Sequence, residues 1–426
     1  MKWLALLGLL LVQDPDVDGL LKQLTDESIE VREKAAAALI DLGEKAEEKI
    51  KARLGTAEGD LKKACETILD RIARNRKLRA VVPKLRRVTI EAKDKPVHEV
   101  LATLKEQTEL PLDTSAAGEA RVTVSIKDAL PLQALDAICR TADLDYLPDP
   151  YEGRRGPVEG VPAAAPPLKI RAGHSKSPRA FSGHFLVEVE SIQLTRSIRF
   201  RNDFGSSPDG ELSLRLHWNP AVRPTRVADF AVKSVQDDKG NDLKYDTDEV
   251  VIRHMGRDME TGLDIQLKRP GDGATSIGSA KGRLSILLAL GRTTLAFENP
   301  QEGKGQVREF DGITIKLLEC SQEGDELRVK LATSGKRKTL TPKEAEDPFD
   351  RGASLDYDSI QIKTEDGRPP RGGRSYTGSG DGKGGMTYSI SYQRMTSKVK
   401  SIELSMDTEY HEELVEFELK DIPLPK

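Results

Sequence analysis

The spacing of apolar residues changes character along this chain, and that change divides it. From residue 16 to about 77 the spacing is helical. Leu20, Leu21 and Leu24 form a short face, and Val31, Ala35, Leu39 and Leu42 form a longer stripe closed by Gly43. Ala46, Ile50 and Leu54, then Leu61, Cys65, Ile68, Leu69 and Ile72, mark two more helices. Short loops between them make neighbours antiparallel. Between 86 and 148 strand-like and helix-like stretches alternate. After Lys169 the period is two: Phe185/Val187/Val189, Leu212 to Trp218, Leu263/Ile265/Leu267 and Leu284 to Leu290 alternate with polar residues. Further on, so do Ile313/Ile315/Leu317, Leu327/Val329/Leu331, Tyr388/Ile390/Tyr392, Ile402/Leu404/Met406 and Val415/Phe417/Leu419.

The middle stretch says one thing twice. VTIEAKDKPVHEVLATLKEQTELPL, from Val88, is echoed by VTVSIKDALPLQALDAICRTADLDYL, from Val122. Each copy is a β run, a Lys-Asp pair (Lys93-Asp94, Lys127-Asp128), a proline at a helix start (Pro96, Pro131) and an amphipathic helix. Val97, Val100, Leu101 and Leu104 form the first helical stripe; Leu132, Leu135, Ile138 and Cys139 form the second. With short strands at Leu110–Leu112 and Leu144–Leu147, the expectation is a βαββαβ unit with two helices on one sheet face.

These residues resemble the short N-terminal domain of secretins and TonB-dependent receptors. The likeness is carried by Lys93-Asp94-Lys95-Pro96-Val97, Val100 to Leu110, Val122 to Asp128, and Leu132 to Cys139 with Leu144 and Tyr146. It implies a periplasmic module that binds protein or peptide partners and has no catalytic residues to carry over. The barrel or ring that normally follows is absent from the pattern, and 4% aromatic residues argue against membrane-spanning strands with aromatic girdles. The helical segment resembles HEAT-type repeats through Glu30-Val31-Arg32, Ala35-Ala36, Leu39 and Leu42-Gly43. In that family the arginine ties neighbouring turns. Asp60-Leu61-Lys62 departs from the plan in the second unit, and an ordinary four-helix segment is the other reading.

The expected fold class is multidomain α + β. Its parts are a signal peptide at 1–13, a HEAT-like α-helical segment at 16–77, and an STN-like βαββαβ domain at 86–148. A Pro/Gly-rich linker at 149–167 then leads to antiparallel β-sandwiches at 168–300 and 305–426. The opening MKWLALLGLLLV has a basic start and an apolar run too short to span a bilayer, which indicates export to the periplasm, cell envelope or exterior; a buried first helix is the alternative.

Composition narrows the function classes. Of 426 residues, 66 are Lys or Arg and 70 Asp or Glu, so the net charge of -4 does not favour nucleic acid. The run 74–87 holds seven basic residues without an acid, read as a helix C-terminus passing into a solvated linker. Cys65, Cys139 and Cys320 lie too far apart for a metal or redox motif.

Candidate chemistry is sparse. Gly372–Met386 is glycine-rich but lacks the phosphate-loop spacing, and reads as a hairpin loop. His98-Glu99 and His411-Glu412 lack the second histidine of a zinc helix. His174 and His184 are too loosely spaced for a metal pair, and Asp237, Asp238, Asn241, Asp242, Asp246 and Asp248 lack the alternation of a Ca²⁺ loop. There is no G-x-S-x-G elbow. No catalytic, cofactor or metal residues are assigned. The expected function is non-enzymatic: an exported envelope protein acting through protein partners, without nucleic acid, cofactor or a membrane span beyond the signal peptide. A glycan- or Ca²⁺-binding sandwich is the alternative, and a metal-dependent hydrolase built on His174 or His184 ranks below both.

Overall fold

A computed structural model describes residues 16–108, 110–148, 167–173, 176–195, 209–222, 224–245, 251–252, 260–335, 355, 359–367, 370, 374–380, 385–395 and 397–425. The expected signal peptide and residues 149–166 of the linker lie outside them, as do His174, Asp246 and Asp248. The chain divides into two compact units, up to Ala80 and from Val81 onward. The described residues form a mixed α/β structure with six helices and several sheets, nearly all antiparallel.

The first unit contains α1 (Val17–Gln23), α2 (Ile29–Leu42), α3 (Glu44–Leu54) and most of α4 (Gly59–Val81). The apolar stripes converge in a core of Leu21, Leu39, Ala46, Ile50, Cys65, Ile68 and Ile72. Gly43 ends α2 with φ +57°, a conformation that an L side chain adopts at a cost. Arg32 donates to the carbonyls of Asp26 (2.7 Å) and Glu27 (3.1 Å), tying the preceding turn to α2. The basic run after residue 74 continues α4 for two turns, where cations meet the negative end of the helix dipole.

The second unit begins with the doubled stretch: β1 (Val88–Pro96), α5 (Val97–Thr108), β2 (Leu112–Asp113), β3 (Arg121–Ala129), α6 (Pro131–Thr141) and β4 (Leu144–Pro148). β1 and β3 pair antiparallel as a two-stranded ribbon, with Val88, Ile90, Val122, Val124 and Ile126 on the buried face. The two copies cap each other. Asp94 and Asp128 both take φ +50°, and the Asp94 amide donates to Thr123 Oγ1 (3.0 Å) as the Asp128 amide donates to Thr89 Oγ1 (3.3 Å). Arg121 grips Asp94 at Oδ1 (2.8 Å), and Arg87 grips Asp128 at its carbonyl (2.7 Å). The repeat therefore starts one residue earlier than the β run, at Arg87 and Arg121.

One expectation changes here. β2 and β4 do not extend the β1–β3 ribbon; they pair instead with β5 (Leu168–Ala172), β2 in parallel and β4 antiparallel. Leu168 and Ile170 bury in the same core as the doubled stretch, so the strand beyond the linker completes that core. β2 is only two residues long, and its Leu112 buries in that core beside its pairing partner Leu168.

The remaining strands enclose two aliphatic cores. One sheet holds, in spatial order, β10 (Val251–Ile252), β11 (Glu260–Leu267), β8 (Gly210–Trp218), β7 (Phe185–Leu194) and β6 (Arg179–Ser182). A second holds β16 (Ile360–Thr364), β19 (Val399–Pro423), β12 (Ser276–Glu298) and β9 (Pro224–Asp237). A third holds β13 (Val307–Phe310), β14 (Ile313–Glu323), β15 (Glu326–Gly335), β18 (Met386–Tyr392) and β17 (Arg374–Gly380).

The second sheet serves both cores. β12 and β19 pair from Ser276↔Pro423 to Glu298↔Ser401. Leu284, Ile286, Leu288, Val415, Phe417 and Leu419 enter the first core; Phe297, Ile402, Leu404 and Met406 enter the second. The alternating sets around 402–406 and 415–419 are thus one strand, and a cut at 300–305 divides the chain without dividing the sheet. No proline or glycine interrupts residues 399–422. Leu290 and Thr408 are each skipped in the pairing, which resets the inward parity from even to odd in both strands. Gly291 allows this close approach, because a Cβ there would lie 2.5 Å from Thr408 Oγ1.

Because the cores share two strands, damage to one is felt in the other. In a Trp3→Phe background, where Trp218 is the remaining tryptophan, Leu404→Ala is expected to cost about 2–5 kcal/mol. The loss is read from urea unfolding monitored at Trp218 in the other core. A Trp218 transition that does not move with Leu404→Ala would show that the cores unfold separately.

A buried charge cluster as candidate functional site

The densest chemistry in the described residues lies where α6 and β4 meet β6, β7 and β8. Arg179 opens β6, and its side chain is 2% exposed. A buried guanidinium must have its N–H groups matched, and here all three nitrogens are engaged. Nη1 donates to Asp136 Oδ1 (2.6 Å), Nη2 to Asp145 Oδ1 (3.1 Å), and Nε and Nη2 to Glu188 Oε1 (3.1 and 2.9 Å). Its plane also lies over the Tyr146 ring, 5.3 Å from the centroid.

Each carboxylate then turns its other oxygen to an outer partner. Asp136 Oδ2 meets Arg140 one turn along α6 (3.1 Å), and Asp145 Oδ2 meets Arg171 of β5 (2.9 Å). Glu188 Oε2 stands 3.3 Å from His217 Nε2 on β8. Three carboxylates thus face three arginines, and the charge is balanced locally. Arg140 and Arg171 reach solvent, so the cluster runs from the surface into the interior.

The local fold explains the convergence. Arg179 and Glu188 are a directly opposed cross-strand pair, and Leu186 stands opposite His217. Asp145 and Tyr146 follow each other on β4. Asp136 lies at the edge of the buried stripe of α6, beside Leu132 and Cys139 and next to the exposed Gln133 and Arg140.

Titration follows from these contacts. Burial would push Glu188 up, but hydrogen bonds and charge from His217 and Arg179 outweigh it and hold the carboxyl at about 2. Asp145 is likewise lowered, the arginines Arg171 and Arg179 overcoming the cost of burial. Burial raises Tyr146, helped by the charge of Asp136. The Cys139 thiol is pushed up to about 12, chiefly by burial, and is an inert core group.

A cavity of about 10 Å³ is bounded by Leu132, Tyr146, Leu168, Arg179, Leu186, Glu188, His217 and Trp218. That volume admits a single water, not a substrate. The Tyr146 hydroxyl is buried there without a hydrogen-bond partner among the described residues. The cluster can clamp two faces together; it offers no room for a reacting molecule.

Those residues weighed from sequence that the structure describes are not brought together. His98 lies at the surface, 3.9 Å from Glu119, and His411 lies 3.3 Å from Glu413 on β19. His184 is buried and stands in the β6–β7 turn. Asp237 spends its oxygens on the amides of Lys239 (2.9 Å), Asn241 (2.8 Å) and Gly271 (3.0 Å) and on the Asn241 side chain. Those bonds overcome burial and hold it at about 2. Asp238 caps Thr275, and Asp242 accepts from the Lys244 amide (3.1 Å). The described part of this acidic stretch, Asp237 to Asp242, is a turn whose carboxylates are already used. Among the described residues no three His, Cys, Asp or Glu side chains are grouped to hold a metal ion. The glycine-rich segment forms the β17–β18 hairpin, Arg374↔Tyr392 to Gly380↔Met386, with its tip outside the described residues. Cys65, Cys139 and Cys320 are free thiols in separate cores or at their margins.

No sequence motif marks the clamp residues, yet one signal is present. With the prolines aligned, Asp136 stands where the first copy has Leu101, a fully buried core residue. A carboxylate at an apolar position of a repeat marks a buried polar contact.

No family model matches this chain. No curated protein matches it either. Among solved structures it is similar to a conserved domain protein from Bacillus anthracis, at 9% identity over 57% of this chain and 91% of that one. The TM-score is 0.18, and a likeness of that degree carries no argument about fold or function.

Two outcomes test the clamp. Arg179→Met leaves three carboxylates buried without their shared cation and is expected to cost about 3–5 kcal/mol in denaturant unfolding, with Arg179→Lys recovering little because an ammonium cannot serve three acceptors in a plane. Glu188 has a folded pKa below its unfolded value of 4.5, so the folded state binds fewer protons between pH 4.5 and about 2. Its contribution is complete above that window and lost as pH falls through it. Stability measured from pH 6 to 2 should therefore drop less steeply in Glu188→Gln than in the native chain, and equal slopes would refute the assignment.

Proposed function

We propose that this protein is an exported, non-enzymatic component of the cell envelope that works by binding protein partners, with the segment 86–148 as an STN-like binding module and 16–77 as a HEAT-like helical segment. The observation that carries the reading is the use made of buried charge. Asp136, Asp145, Glu188 and Arg179, the groups best placed for chemistry, neutralise one another around a space the size of one water. They hold the doubled stretch rigidly on the neighbouring sheet. A rigid platform suits recognition, because a partner need not bear the entropy of ordering it.

The platform presents the outer face of the β1–β3 ribbon. Thr89, Glu91, Lys93 and Lys95 on β1 and Thr123, Ser125 and Lys127 on β3 are exposed. This short-side-chain face is edged by lysines, and it fits a protein surface carrying acidic groups. Export is supported by the basic and apolar opening of the chain. Among the described residues no helix is long and apolar enough to cross a membrane.

A photo-crosslinking amino acid at Thr123 in the full-length chain, irradiated in envelope extract, tests the proposal. The expected result is an adduct of one defined mass, lost when Lys93, Lys95 and Lys127 are changed to Glu. Absence of any adduct, or an adduct indifferent to the charge reversal, would overturn the ribbon as the binding face.

A further inference from the structure

Residues 82–87 connect the end of α4 to β1, and they are fastened to the sheet beside them. Val82 packs against the first β core, and a Cβ placed on Gly183 would lie 3.7 Å from Leu85 Cδ1. Between these two contacts the Pro83 carbonyl accepts a hydrogen bond from the His184 ring. His184 is 5% exposed, and its Nδ1 has no hydrogen-bond partner among the described residues. The ring is therefore the neutral tautomer that carries its proton on Nε2, donating to Pro83.

We propose that His184 is a proton-sensitive latch that holds the connector 82–85 against the β6–β7 turn and releases it on mild acidification. A second proton must enter at Nδ1, where a charged N–H would be buried with no acceptor. Such a group is costly to keep and cheap to expose, so proton uptake favours the undocked ring. The surroundings weigh in the same balance. Glu413 on β19, itself 3.3 Å from His411, favours the charged ring, as does the Pro83 bond; burial outweighs both and lowers the pKa. Lys84, Arg86 and Arg87 are the connector's own charges, all exposed, with Arg87 held by Asp128, and the Asn219 amide holds the His184 carbonyl at 2.8 Å from the other side. The sign follows: docking is complete above the unfolded value of 6.5 and is lost as pH falls through the depressed one.

Methyl NMR of the full-length chain reads this directly. Between pH 7.5 and 5, the Val82 and Leu85 methyl signals should move toward solvent-exposed shifts with the midpoint of the His184 ring titration, and that midpoint should fall below 6.5. Within the window the docking equilibrium should weaken about tenfold per pH unit. His184→Gln, whose amide can still reach Pro83 but does not titrate, should hold both methyls in place across the range. A ring that titrates at 6.5 or above, or methyls that stay docked while the ring titrates, would overturn the latch. The titration of the native ring decides the matter even if the variant fails to fold.

Discussion

Arg179 is the point on which the larger unit turns. A guanidinium placed almost wholly out of water must be met by acceptors from several directions, and its neighbours on one strand cannot supply them. Glu188 comes from the adjacent strand, but Asp136 and Asp145 come from the doubled βα stretch more than thirty residues earlier. Satisfying one side chain therefore sets the position of α6 and β4 on the β6–β7–β8 surface. Such a cluster adds little net stability over an apolar contact of the same size, because desolvation offsets the attraction. Its value is in geometry. A planar fork with three acceptors accepts one arrangement, whereas an oily face would slide.

The rest of the unit depends on that placement being rigid at both ends. β12 and β19 run unbroken past two cores, so the strands that close the first core also close the second. The two skipped residues, Leu290 and Thr408, let each strand change inward parity without ending the ladder, and Gly291 makes room for the crossing. The doubled stretch is held from the other side by β5, which belongs to its core by burial although it follows the long Pro/Gly-rich segment. Clamp, shared strands and returning strand together leave the β1–β3 ribbon as the outward face.

The doubling itself has a physical purpose beyond the helix and strand pattern. Lys-Asp recurs because both aspartates sit at positive φ, where Asp is tolerated better than most side chains. The threonine of each β run receives the aspartate amide of the other copy, and Arg87 and Arg121 close the exchange. This reciprocity is nearly readable in one dimension: R-V-T at both starts and K-D at both ends. Asp136 could also be noticed as the odd member of an apolar stripe. What could not be read was its destination, because Arg179 lies beyond the linker in a short strand with no distinguishing neighbours.

Local patterning was enough to place every helix of the first unit, the βα alternation, and most inward residues of the strands, since burial on one face imposes a period that the chain must carry. Pairing was another matter. That 402–406 and 415–419 lie on one strand, that β2 and β4 pair with β5 instead of the ribbon, and that four charged residues from four elements share one buried site all depend on contacts between distant segments. Periodicity says which face is apolar; it carries no label for the partner. Only packing in three dimensions, where each buried charge must find its counterpart, decides that.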